Sequence, residues 1–176
     1  AERALRAAGI AVLENAAVRL DVPGPVWLVG LESEATPGRA QAPDRLDRQR
    51  SEILARALRD VPAEGAVLLL AHEPDLFATG LDHRVALTLS GHTHGGQVRI
   101  LGWSPWIPSR YGLRYAYGHI VEEQRDLIVS AGLGSHFLAG RPLRLGAPPE
   151  IVVVDLGRPD EAVTAADRVG SCSPAV

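Results

Sequence analysis

Between Arg45 and Arg59, Leu46, Ile53, Leu54, Ala57 and Leu58 recur at the spacing of one helical face, with Arg48, Arg50 and Glu52 on the outward side. This pattern predicts a helix capped by Asp44 and lying on a sheet. The run AVLLLA, Ala66 to Ala71, has no polar position and reads as a strand covered on both faces. A second run, VALTLS, follows after about a dozen residues that hold Pro74 as a helix opener and Gly80 as a stop. A crossover of that length suits parallel strands. Upstream, Ala1 to Ala8 read as the end of a helix stopped by Gly9. The segment IAVLENAAVRLDVPGPVWLVG then gives two or three strands broken at Glu14-Asn15 and Pro23-Gly24-Pro25. Downstream, strands are expected at VRIL, RYAYGHI, DLIVSAG and EIVVVDL, with GWSPWIPSRYG as a loop. The fold class is therefore α/β, with a second, more antiparallel layer expected after Val98. Residues 158–176 are small, charged and aperiodic, and are expected to be a disordered tail.

Composition narrows the function classes. An apolar fraction of 46% over 176 residues supports one domain with a core. A net charge of −3 and a pI near 6.1 give no basic excess, so no nucleic-acid partner is expected. Cys172 is the only cysteine and stands among small residues, away from candidate ligands. No run reaches the roughly 20 apolar residues that span a bilayer, and AERALRAAGI holds no signal-peptide core, so the chain itself reads as soluble.

Chemistry concentrates at two strand ends. If AVLLLA and VALTLS are parallel neighbours, His72 and the turn Gly91-His92-Thr93-His94 leave the sheet at the same edge, where open α/β sheets build their sites. Three imidazoles there suit zinc, iron or manganese better than calcium. Gly91, Gly95 and Gly96 would supply positive φ and a close backbone approach. Hydrogen-bonded turn histidines are the competing explanation. His83 and His119 read as surface or packing residues, while His136 follows a strand end and could line a cleft. Arg141 and Arg144 could meet a phosphate, or stand as ordinary loop arginines. Trp103 and Trp106 are expected to pack against the second layer, with a grip on an apolar substrate group as the alternative.

LLLAHEPDLF followed by LTLSGHTHGGQVRI resembles the C-terminal motifs of the calcineurin-like metallophosphoesterases, in the bacterial branch with a G-H-T-H-G-G-Q turn. The resemblance continues through SRYGLRYAYGHI, LIVSAGLG and APPEIVVVDL, from Gly9 to about Leu156. It implies a four-layer α/β/β/α sandwich with mixed sheets, of which residues 1–157 would be the C-terminal part. It also implies two divalent metal ions (Mn, Fe or Zn) that activate water against phosphorus. His72 and His92 would share one ion, His94 would bind the other, and Thr93 would separate them.

The family's upstream motifs, Asp-x-His, Gly-Asp-x-x-Asp and Gly-Asn-His, are absent from this sequence. Asp21, Glu32, Glu34, Asp44, Asp75 and Asp82 match none of them, so the bridging carboxylate and the proton donor are expected in an upstream half of the same domain. The chain alone should then be inactive. The resemblance implies a phosphorylated small-molecule or lipid-linked substrate, and a cytoplasmic or membrane-associated location through an upstream segment. A non-catalytic metal-binding or interaction domain derived from the same fold is the alternative.

Overall fold

In the computed structural model, which describes residues 2–33, 43–79, 82–135, 137–138 and 141–157, the apolar runs become the inner strands of a six-stranded mixed sheet. Strands β1 (Ala16–Arg19), β2 (Val26–Gly30), β3 (Ala66–Leu70), β4 (Val85–Ser90), β5 (Gly118–Glu122) and β6 (Arg125–Val129) lie in the order β1-β2-β3-β4-β6-β5. Strands β2, β3, β4 and β6 are mutually parallel, and the two edge strands β1 and β5 run antiparallel to their neighbours. The parallel β3 and β4 are the pair that the sequence pattern required.

Helix α1 (Glu2–Ala7) opens the chain, and helix α2 (Pro43–Ala57) covers the sheet. Leu54, Ala57 and Leu58 are buried with Val29, Val67, Leu69, Val85 and Leu76 in one core cluster. Burying a leucine or valine contributes about 1.5–3 kcal/mol. Packing of this face, more than intrinsic propensity, holds a 15-residue helix in place. A second cluster joins Phe77, Tyr115, Leu127 and Val129, so the 3₁₀ turn Pro74–Thr79 sits between the two.

Several expectations need correction. Helix α2 begins at Pro43, which places Asp44 inside the first turn, where proline is well suited to the opening position. Arg50 is buried at 4% exposure instead of facing outward, because it lies four residues from both Leu46 and Leu54 on the core stripe. Its guanidinium pairs with Asp47, which also accepts from Arg110. The second face of β3 is half-buried at Leu68 and Leu70, so coverage on both sides is incomplete among the described residues.

The layer expected after Val98 does not separate from the sheet. Strands β5 and β6 extend it, since β6 pairs in parallel with β4. Beyond it, the described residues hold only the short pair β7 (Phe137–Leu138) and β8 (Arg141–Pro142). VRIL is no strand; Val98 and Ile100 make isolated bridges to Leu145 and Trp103. Of the segment read as RYAYGHI, Arg114 and Tyr115 instead end a 3₁₀ turn, Gly112–Tyr115, before β5 begins at Gly118. EIVVVDL is not a strand either: Ile151, Val152, Val153 and Leu156 are exposed, and no strand pairs with them among the described residues. β-propensity builds a strand only where a neighbour supplies the hydrogen bonds. Gly80, Glu34, His136 and residues 158–176 lie outside the described residues.

Candidate metal centre

Strands β3 and β4 end side by side, and the backbone bonding continues past them. Ala71 N–H donates to the Leu89 carbonyl at 3.1 Å, and Gly91 N–H donates to the His72 carbonyl at 3.1 Å. His72 is thereby fastened to the start of the Gly91 turn. The His72 and His92 rings meet edge to face with centroids 5.2 Å apart. A Cβ on Gly91 would touch His72 Nδ1 at 3.8 Å, an ordinary contact, and Gly91 does not carry a positive φ. The sequence reading was right about Gly95 and Gly96 (φ 64° and 83°) and wrong about Gly91.

Instead the left-handed backbone falls on His92 and His94 themselves, at φ 65° and 50°. Residues with a Cβ adopt that region at about 1–3 kcal/mol each, and persist there only where surrounding contacts impose it. Thr93 supplies such a contact: it is 1% exposed, and its hydroxyl donates to the Ala116 carbonyl at 2.6 Å. Ser104 supplies another by donating to the Gly96 carbonyl at 2.7 Å. Gly96 has no alternative residue in this packing, because a Cβ would lie 2.8 Å from Ser104.

His94 turns to a different set of partners. Its Nδ1 lies 3.0 Å from the Gly134 carbonyl and 3.1 Å from Arg144 Nη2. Arg144 donates to the carbonyls of Ala131 (2.6 Å), Gly132 (3.1 Å), Ala147 (3.1 Å), Pro148 (3.2 Å) and Gly134. It therefore laces the 131–134 and 147–148 loops around His94, a role that neither sequence alternative foresaw. The backbone of Arg141 lies in β8. His83 is exposed beside Asp82, and exposed His119 meets Asp126 at 2.5 Å, both away from the strand-end cluster.

Among the described residues, His72, Glu73 and His92 form a group of metal-type donors whose ligand atoms lie within 4.8 Å of one another. Donors around one ion at about 2.0–2.2 Å stand about 3–4 Å apart, so small side-chain rotations would close the group on a cation. These residues fit a transition metal: two imidazoles and a carboxylate, all at least partly open to solvent. Glu73 was missed by the sequence reading, although it directly follows His72. Its Oε1 accepts from the Ser33 hydroxyl at 2.6 Å. The carboxylates weighed in its place have other work. Asp75 is buried and accepts from Ser109 Oγ and Arg110 N, and Asp82 is paired with Arg84. Glu32, with Arg50, lines a small pocket beside His72 and Glu73.

Comparison with known proteins gives the lineage. YkuE of Bacillus subtilis (strain 168), an uncharacterized metallophosphoesterase, is 43% identical over 89 residues, 51% of this chain and 30% of that protein. Phosphodiesterase YaeI of Escherichia coli (strain K12) is 31% identical over 157 residues, 86% of this chain and 49% of that protein. An uncharacterized metallophosphoesterase of Aquifex aeolicus (strain VF5) is 32% identical over 102 residues, 56% of this chain and 36% of that protein. The chain spans half or less of the length of these relatives. No family model and no solved structure matches it. With a mixed α/β sheet and several relatives of that name, the chain belongs to the metallophosphoesterases of the calcineurin-like superfamily.

Proposed function

We propose that this chain carries part of a two-metal centre that hydrolyses phosphoester or pyrophosphate bonds, in a phosphorylated small molecule or a lipid-linked phosphate. The observation that carries the proposal is the meeting of His72, Glu73 and His92 at the carboxyl ends of two parallel strands. In this reading His72 and His92 hold one Mn, Fe or Zn ion and His94 holds a second. The ions, when bound, polarise phosphoryl oxygens and make water acidic enough to attack at neutral pH. The chain's residues prepare for this in distinct ways. His72 and His92 offer nitrogen lone pairs, and Glu73 offers an anionic oxygen that offsets cationic charge. The His94 ring is held at Nδ1, between the Gly134 carbonyl and Arg144 Nη2, which leaves Nε2 as the nitrogen turned to a ligand.

The relatives' names, phosphodiesterase among them, support the reaction class. The bridging ligand and the proton donor belong, in this proposal, to an upstream half, because two dications without an anionic bridge repel each other strongly at short range. Residues 1–176 alone should therefore hydrolyse an aryl phosphate no faster than a metal-matched blank. Calorimetry with zinc or manganese tests the binding step. Wild type should take up metal that the His72→Ala, His92→Ala double variant does not, and equal heats from both would dismiss the histidines as ligands. Metal-dependent turnover by residues 1–176 would dismiss the division of the site between two halves.

A further inference from the structure

The segment that leaves the histidine turn carries a feature unrelated to metal binding. Ile100 and Trp103 exchange both backbone hydrogen bonds, at 2.8 and 3.0 Å, and close a two-residue hairpin over Leu101 and Gly102. Both central residues have positive φ, 50° and 84°. Turns of that kind favour Asn-Gly, because asparagine tolerates the left-handed region. Here a leucine occupies the strained position, and its side chain is fully exposed at 104%. Ile100 (55%), Trp103 (57%) and Trp106 (61%) stand out around it. So does Leu145, whose carbonyl accepts from Arg99 N–H at 2.7 Å. The indoles expected to pack against a second layer are thus on the surface. Strain and solvent exposure coincide at Leu101, and no packing in the described structure offsets either.

We infer that this hairpin docks on a lipid bilayer, with Ile100 and Leu101 entering the acyl boundary and Trp103 and Trp106 resting at headgroup level. A turn tip that presents its leucine outward suits a soft apolar phase. Indoles combine an apolar body with a polar N–H and concentrate at membrane interfaces for that reason. Charge agrees: from Asp82 to Glu122 the sequence has no intervening Asp or Glu, while Arg99 stands at the hairpin's base with its guanidinium 5.0 Å above the Tyr117 ring. Within that stretch no carboxylate repels anionic headgroups, and Glu150, beside the Tyr117 ring, is engaged by the Tyr117 hydroxyl and the Ala131 N–H.

The hairpin is also tied to the histidines. The single Ser104 hydroxyl proton is shared between the Gly96 carbonyl at 2.7 Å and the Trp106 carbonyl at 2.9 Å, which ties the base of the hairpin to the histidine turn. Leu101 lies seven positions after His94, a reach of at most about 25 Å. Docking would hold the histidine turn close above the lipid headgroups.

Flotation of residues 1–176 with equimolar phosphatidylglycerol and phosphatidylcholine vesicles tests this without any assay of catalysis or metal. Wild type should float with the vesicles. Leu101→Asn, a change that suits the turn's backbone, should keep the circular dichroism of the fold. It should lower the partition coefficient at least about tenfold, the effect of withholding one leucine from an apolar phase. Wild type remaining in the vesicle-free fraction would overturn the inference, as would a Leu101→Asn variant that floats equally well. The phosphoester reading stands or falls separately, by metal uptake.

Discussion

Glu73 shows how a site residue escapes a reading by motif. It follows His72 directly and joins the same group of donors, yet it stands in no motif with a fixed metal-ligand spacing. Its charge has a clear consequence. Glu73→Gln keeps the shape and removes the anion, and should weaken zinc or manganese binding at least about tenfold, the lower end of what even outer-shell partners contribute. Calorimetry on the folded variant checks this, and unchanged affinity would take Glu73 out of the group. His72 and His92 were legible because each follows an apolar run, and a strand's carboxyl end fixes where the next side chains emerge. The positive φ at His92 and His94 was not legible, since the turn is held by Thr93 donating to the distant Ala116 carbonyl and by Ser104 donating to the Gly96 carbonyl.

The connection between helix α2 and strand β4 depends on one ion pair. Arg84 donates to Asp82 at 2.8 and 2.9 Å and reaches back to the Val61 carbonyl at 2.6 Å, binding the turn before β4 to the end of the helical segment. These hydrogen bonds, chiefly from the Arg84 side chain, hold the Asp82 carboxyl at about 2 instead of 3.8. A depressed carboxyl pKa stabilises the fold above the unfolded value, and the contribution fades as pH falls from about 4 to about 2. Unscreened, its size would be on the order of 2 kcal/mol, and solvent screening at this partly exposed pair cuts it to about 1 kcal/mol. Asp82→Asn should lower stability at neutral pH by about 1–2 kcal/mol and flatten its dependence between pH 4 and 2, as read by urea unfolding. Identical pH profiles for variant and wild type would count against it. Arg50 belongs to this scale too: its place on the helix stripe was countable from the sequence, and the pairing with Asp47 helps to make a buried guanidinium tolerable.

For the whole molecule, the sheet order leaves β1 and β5 as edges, each with one row of backbone groups unpaired to another strand of that sheet. Strand β5 adds an exposed apolar residue, Val121 at 60%, and such edges invite association between copies. Val121→Lys should reduce concentration-dependent light scattering while shifting the melting temperature by no more than about 2 °C. Unaltered scattering would place the association elsewhere, with the exposed Ile151–Leu156 run the next surface to change. No helix among the described residues is long and apolar enough to cross a membrane, so the bilayer contact inferred above rests on a turn.

By itself the sequence determined the alternation of apolar runs and crossovers, hence the parallel β3–β4 pair and the shared edge of His72 and His92. Those features follow from local periodicity and from which strands a short connection can join. Tertiary structure alone decided that β5 and β6 extend the same sheet, that EIVVVDL stays outside it, and that Arg144 encloses His94 with loop carbonyls. Each depends on which distant segment supplies a hydrogen-bond partner. A residue's propensity carries no record of that choice.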